Sequence, residues 1–194
     1  MDDFKVMHLC VVENQQYLGT VSESDILSIT DIGESLSKHK ELFNPVYVKQ
    51  SQHIFEVVKV VNDHQLSITP VLDEREQYLG AITIAQLMNI IADMPVANSP
   101  GGIIVLELNY NDYSLAHISS IIEENNTKIL GTFITSHADS TKIQLTIKVN
   151  SVDISSIISS LQRHEYVITF FNQSLDAGVD LRDRFDSFMN YINI

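Results

Sequence analysis

Short apolar runs of period two alternate along this chain with stretches in which apolar residues recur every three or four positions, the signatures of strands and of one-sided helices. His8-Leu9-Cys10-Val11-Val12-Glu13, the polar break Asn14-Gln15-Gln16, and residues 17–21 predict a β-hairpin. Ser22 then opens a helix with Ile26, Leu27 and Ile29 on its apolar side; Asp25, at the third helical position, can reach back to the cap. The pattern weakens over 30–44, with a loop at 31–35 and a solvated connection at 38–41. Pro45 leads into a short strand at 46–48. Ser51 is the expected cap of a helix carrying Ile54, Val57, Val58 and Val61 on one face. Residues 68–72 and 78–82 predict a second hairpin. Thr83 caps a helix with Ile84, Leu87, Met88 and Ile91 apolar and Gln86 at the third position.

These elements are a duplication. Tyr17-Leu18-Gly19-Thr20-Val21-Ser22 returns as Tyr78-Leu79-Gly80-Ala81-Ile82-Thr83, the glycines 61 apart, and Cys10-Val11-Val12-Glu13 returns 60 residues on as Pro70-Val71-Leu72-Asp73. A fixed period defines architecture before any single residue does. The complete unit is strand, helix, hairpin, helix, and only the second copy has every part. Carried back by 60, Pro45 falls at position −15, so about fifteen residues equivalent to the first strand and most of its helix are missing from the first copy. A late start, trimming, or supply by another chain are equally open. Residues 1–6 are expected to be the tail of that helix.

Leu9-Cys10-Val11-Val12, Gly19-Thr20-Val21-Ser22-Glu23-Ser24-Asp25, Pro70-Val71-Leu72-Asp73 and Gly80-Ala81-Ile82-Thr83 resemble the tandem CBS (cystathionine-β-synthase) module, also called the Bateman module, over nearly all of residues 1–92. The resemblance implies two repeats packed sheet to sheet about a pseudo-twofold axis, with clefts for adenosine-containing ligands. It also implies ligand contacts at Thr20, Ser22 and Thr83 through hydroxyls, and at Asp25 through ribose hydroxyls. The chemistry is sound, because helix N-termini favour anions and an ionised carboxylate accepts well from a vicinal diol. A capping box explains Ser22 and Asp25 equally well without a ligand. Cys10 stands where that family usually has Pro and reads as a buried structural thiol.

Residues 93–101 hold two prolines and a glycine before Gly102, a linker. Beyond it, 103–108 predicts a strand, Tyr110-Asn111-Asp112-Tyr113 a turn, and Ser114 the cap of a helix with Leu115, Ile118, Ile121 and Ile122 apolar. A strand at 129–134, a turn at 136–140, an alternating strand at 143–149, a helix at 152–161 with Ile154, Ile157, Ile158 and Leu161 inward, and a strand at 167–171 complete a βαββαβ order, the ferredoxin-like arrangement. Over 102–172 this resembles an ACT domain, a module that often binds amino acids between paired copies. That family's loop carries Asp and then Gly where this chain has Asn111 and Ser114. Losing the Gly restricts backbone approach to a ligand, so dimerisation or packing is the expected role. Residues 173–194 predict a loop and an amphipathic helix with Leu181, Phe185, Phe188, Met189 and Ile192 on one side, expected to dock on its own chain, with a swapped dimer contact second.

Charge narrows the partners. Lys and Arg total 12 against 25 Asp and Glu, a net −13, which disfavours nucleic acid and anionic membrane. One cysteine makes no internal disulfide and suggests a reducing compartment. No apolar run nears the ~20 residues of a membrane span and the N-terminus is no signal peptide, so a cytoplasmic protein is expected. The seven histidines are scattered, without His-x₃-His spacing, a phosphate loop or a nucleophile elbow, so no catalytic residue, metal or cofactor is expected. The expected fold is α/β (α+β): tandem CBS repeats, an ACT-type domain and a terminal helix. That order resembles the acetoin-utilisation B type of CBS protein. The resemblance implies a dimeric, non-enzymatic regulator that binds AMP, ADP, ATP or S-adenosylmethionine and passes a conformational change to its other half or to a protein partner. The alternative is a structural or dimerisation module without a ligand.

Overall fold

The computed structural model describes residues 1–30, 33–136 and 141–172. The turn expected at 136–140, past its first residue, and the helix expected at 181–192 lie outside the described residues. The chain divides into two units, Met1–Ala92 and Asp93–Ile194.

In the first unit β1 (His8–Glu13) and β2 (Gln16–Ser22) form an antiparallel hairpin followed by α1 (Glu23–Ser28). The second copy adds β3 (Val48–Lys49) and α2 (Ile54–Asp63) before its hairpin, β4 (Ile68–Leu72) and β5 (Tyr78–Thr83), and ends in α3 (Ile84–Ala92). β3 runs parallel to β4, making a three-stranded sheet where the first copy has two strands. The repeated Tyr-Leu-Gly now has a physical meaning. Pairing runs Val11↔Gly19 and then Val12↔Tyr17, leaving Leu18 over; it runs Val71↔Gly80 and then Leu72↔Tyr78, leaving Leu79 over. Each copy therefore carries a β-bulge at the same place, and its glycine takes a φ of +154° or +156° that side chains rarely adopt.

Two local expectations change. The strand expected at 46–48 shrinks to Val48–Lys49, because the Tyr17 hydroxyl binds the carbonyls of Asn44 (3.0 Å) and Val46 (2.8 Å) and holds this stretch beside β2. The cap of α2 is His53, not Ser51. The His53 Nδ1 accepts from the Phe55 N–H at 3.3 Å and Glu56 accepts from the His53 N–H at 3.0 Å, while the Ser51 hydroxyl donates to Glu74.

Val48, Val57 and Leu87 form the core of the second copy, with Ile54, Val60, Val61, Val71 and Ile82 against them. The apolar side expected of α1 is not covered: Leu27 is 78% exposed. Among the described residues of this unit, no counterpart of α2 lies over it. The expected stripe on α3 divides, with Leu87 buried and Ile84 and Met88 exposed.

The second unit begins with a helical turn, α4 (Pro95–Asn98). Then come β6 (Ile103–Asn109), α5 (Leu115–Glu124), β7 (Ile129–Ser136), β8 (Lys142–Val149), α6 (Ser155–Arg163) and β9 (Val167–Asn172). The sheet order is β7-β8-β6-β9, antiparallel throughout, which is the ferredoxin-like order. One sheet face meets α5 and α6, where Ile104, Leu106, Leu145 and Ile147 pack against Ile118, Ile122, Ile157 and Leu161. Val96 of α4 lies over Gly131, where an added Cβ would meet it at 2.8 Å. Ser114 caps α5 by accepting from the His117 N–H. α6 starts later than the periodicity suggests, because Asp153 accepts from the Ser155 N–H and turns the chain into the helix there.

Candidate functional site

The strand-to-helix turns of the two copies are built alike. Ser22 ends β2 in extended conformation, and its hydroxyl accepts from the Asp25 N–H at 3.0 Å. Asp25 answers with one carboxylate oxygen, Oδ2, which accepts from the Ser22 N–H at 3.1 Å and the Ser22 hydroxyl at 2.6 Å. In the second copy the Thr83 hydroxyl accepts from the Gln86 N–H at 3.2 Å, and Gln86 Oε1 accepts from the Thr83 N–H at 2.9 Å. Each box satisfies helix N–H groups that have no intrahelical partner. Only the first does so with a charge. The Ser22 hydroxyl, then the Ser22 N–H, hold the Asp25 carboxyl below the usual range. This fixed carboxylate at a helix N-terminus is suited to accept hydrogen bonds from hydroxyls.

The sequence-derived residues stand in different settings. Ser22, Asp25 and Thr83 lie at the turns, partly exposed. Thr20 is 1% exposed, its hydroxyl 2.8 Å from the Tyr17 hydroxyl and its backbone paired in both directions with Asn44. It supports the wall behind the turn. Burial pushes Tyr17 and Tyr78 up to about 12 and raises the Cys10 thiol, which Tyr78 and Thr20 hydrogen-bond. Cys10 is thus a half-buried thiol held between these two hydroxyls.

Two residues without a sequence signal sit beside the first turn. His8 pairs with Ser22 across β1 and β2. Its Nδ1 lies 2.9 Å from the Ser67 hydroxyl and accepts from the Ser67 N–H at 3.2 Å. A separate hollow of about 440 Å³ opens where the two hairpin turns meet, lined by Gln16, Tyr17, Pro45, Tyr47, Arg75 and Glu76 among others. It lies at the opposite end of the strands from Ser22 and Thr83 and contains none of the four expected contacts. The turns carry the recognisable chemistry, so we take them as the site. Among the described residues no group of three His, Cys, Asp or Glu converges as a metal site, and no helix is long and apolar enough to cross a membrane.

Among solved structures, a CBS domain pair/ACT domain protein from Thermotoga maritima is 19% identical, with a TM-score of 0.42 over 48% of this chain and 76% of that one. The cytosolic domain of the Mg2+ channel MgtE in complex with ATP is 24% identical, with a TM-score of 0.38 over 44% of this chain and 34% of that one, so this chain spans about a third of it. CBSX2 in complex with AMP is 20% identical, with a TM-score of 0.36 over 46% of this chain and 76% of that one. Residues 39–93 match the CBS domain family, a stretch that takes in β3, α2, β4, β5 and α3 and so the whole second copy.

Proposed function

We propose that the chain is a cytoplasmic regulatory protein, not an enzyme, that binds an adenosyl ligand (AMP, ADP, ATP or S-adenosylmethionine) at the Ser22/Asp25 turn. The observation that carries this reading is the ionised Asp25 carboxylate, fixed at a helix N-terminus beside the Ser22 hydroxyl. The CBS match over 39–93, which takes in Thr83 but not Ser22 or Asp25, supports the regulatory part of this reading. Asp25 accepts from the ribose diol, Ser22 lies toward phosphate or ribose, Thr83 offers the matching hydroxyl of the second copy, and Thr20 backs the first from inside. Residues 1–92 are the paired module, 93–101 the connection, and 102–172 an ACT-like domain through which two copies pair. That order of domains resembles the acetoin-utilisation B type of CBS protein. Ligand-dependent change is passed to the other protomer or to a protein partner, which requires different ligand affinities in the two conformations.

Isothermal titration of the full chain with the four ligands, on wild type and Asp25→Ala, tests this. One ligand should bind, and Asp25→Ala should weaken it about tenfold, the loss of charge-assisted hydrogen bonds. Absence of binding by all four overturns the adenosyl reading. The second reading, a structural module without a ligand, draws on the neutral Thr83/Gln86 box, which shows that the cap is kept where the charge is not. It predicts that Asp25→Ala costs only a cap, about 1 kcal/mol.

A further inference from the structure

The bonds around Ser67 join the two strand-to-helix turns. The first amide of α1, Glu23 N–H, donates to the Met7 carbonyl at 2.8 Å. Met7 N–H donates to the Ser67 hydroxyl at 2.9 Å. That oxygen also lies 2.9 Å from His8 Nδ1. The Ser67 N–H donates to the same Nδ1 at 3.2 Å. The Ser67 carbonyl accepts from the first amide of α3, Ile84 N–H, at 3.4 Å. Glu23 and Ile84 occupy matching positions, each directly after its capping residue Ser22 or Thr83. Every polar group of Ser67 is therefore engaged, and Ser67 is 9% exposed, so its N–H has little access to water if His8 is removed.

We infer that His8 is a positioning residue that couples the two turns: through Ser67 it ties the Ser22/Asp25 turn of the first copy to the Thr83/Gln86 turn of the second. A ligand that tightens the first turn is then felt at the first turn of α3, without touching it. This rests on the ligand reading above for its physiological use, but the coupling itself exists without ligand. His8 pairs across β1 and β2 with Ser22, itself a proposed ligand contact, and reaches the second turn through Ser67.

Amide hydrogen exchange by NMR on the full chain separates the two ideas. Without ligand, His8→Ala and Ser67→Ala should each raise exchange at both Glu23 and Ile84 about tenfold, the size expected for one lost buried hydrogen bond. Amides in the middle of α2 should stay unchanged, which shows that the unit remains folded. His8→Asn, whose side-chain oxygen can accept where Nδ1 does, should restore both turns. Response at only one turn, no response, or no rescue by Asn overturns the coupling. In a second arm with AMP, wild type should gain protection at Ile84 while His8→Ala should gain it only at the first turn. If AMP and the other three adenosyl ligands fail to bind wild type, the ligand reading fails and the ligand-free arm still decides the coupling. If AMP protects Ile84 equally in wild type and His8→Ala, the coupling is overturned.

Discussion

The two copies share a bulge, a capping box and a hairpin, yet they differ in what lies against them. Leu87 on α3 is 3% exposed, and Ile26, its counterpart on α1, is 38% exposed. Leu72 on β4 is 2% exposed and its counterpart Val12 on β1 is 38%. The difference is not in the residues, which are apolar in both copies. It comes from β3 and α2, which cover the second hairpin and helix and have no described counterpart on the first. The bulge glycines show the reverse. A Cβ on Gly19 would lie 2.6 Å from the Cβ of Phe43, while a Cβ on Gly80 would meet nothing within 4 Å. Burial, more than sequence identity, sets what each matched position contributes.

Paired substitutions probe this contrast directly. The largest effect belongs to Leu87→Ala, expected to cost about 3 kcal/mol in urea unfolding, against under about 1 kcal/mol for Ile26→Ala. Equal costs would mean that α1 is covered in solution after all. Next, Gly19→Ala should lose about 2 kcal/mol through strain and collision with Phe43, and Gly80→Ala about half of that through strain alone. A reversed order in thermal melts would place the Phe43 segment elsewhere. The third test uses Thr69, fully buried with a hydroxyl that has no hydrogen-bond partner, where the first copy has Leu9. Thr69→Val removes that orphan and should raise stability by about 1 kcal/mol; a loss would point to a hidden acceptor.

The smallest effect is a matter of pH. Asp25 titrates below its ordinary 3.8 in the folded chain, so its capping contribution is complete above that value and fades as pH falls through the folded, lower one. Gln86 does not titrate. Acid should therefore loosen the α1 amides before those of α3, by a few tenths of a kcal/mol at this exposed site. Amide exchange across pH 5 to 2 would show it, and parallel loosening of both helices would deny Asp25 the role.

Much of this architecture can be read from residue order. The period linking Gly19 to Gly80 marks both hairpins, though not their bulges, and Ser22-x-x-Asp25 and Thr83-x-x-Gln86 mark both caps because a cap is a local contact three residues long. The alternation of 143–149 places β8 in the sheet because one strand face must be apolar. What is lost is whatever depends on distant chain. Periodicity groups Ile26 with Leu27 but does not say whether anything lies over them. Ser51 is the better cap by residue type, yet Glu74 takes its hydroxyl from across the sheet and His53 does the work with Glu56. His8 and Ser67 are 59 residues apart and share no pattern, so their bond has no trace in the sequence.

The strand order of the second unit has a consequence for synthesis. β6 is made first but ends up between β8 and β9, so one edge of it stays open until residues 167–172 have left the ribosome. Its Ile103, Val105 and Glu107 pair with β9 from more than fifty residues downstream. Until then the nascent chain presents an apolar strand edge, the kind of surface that invites pairing with a neighbouring chain. The first unit asks less of the growing chain, since its hairpins close within themselves and its latch needs only Ser67. It can be complete while the second is still waiting for its last strand.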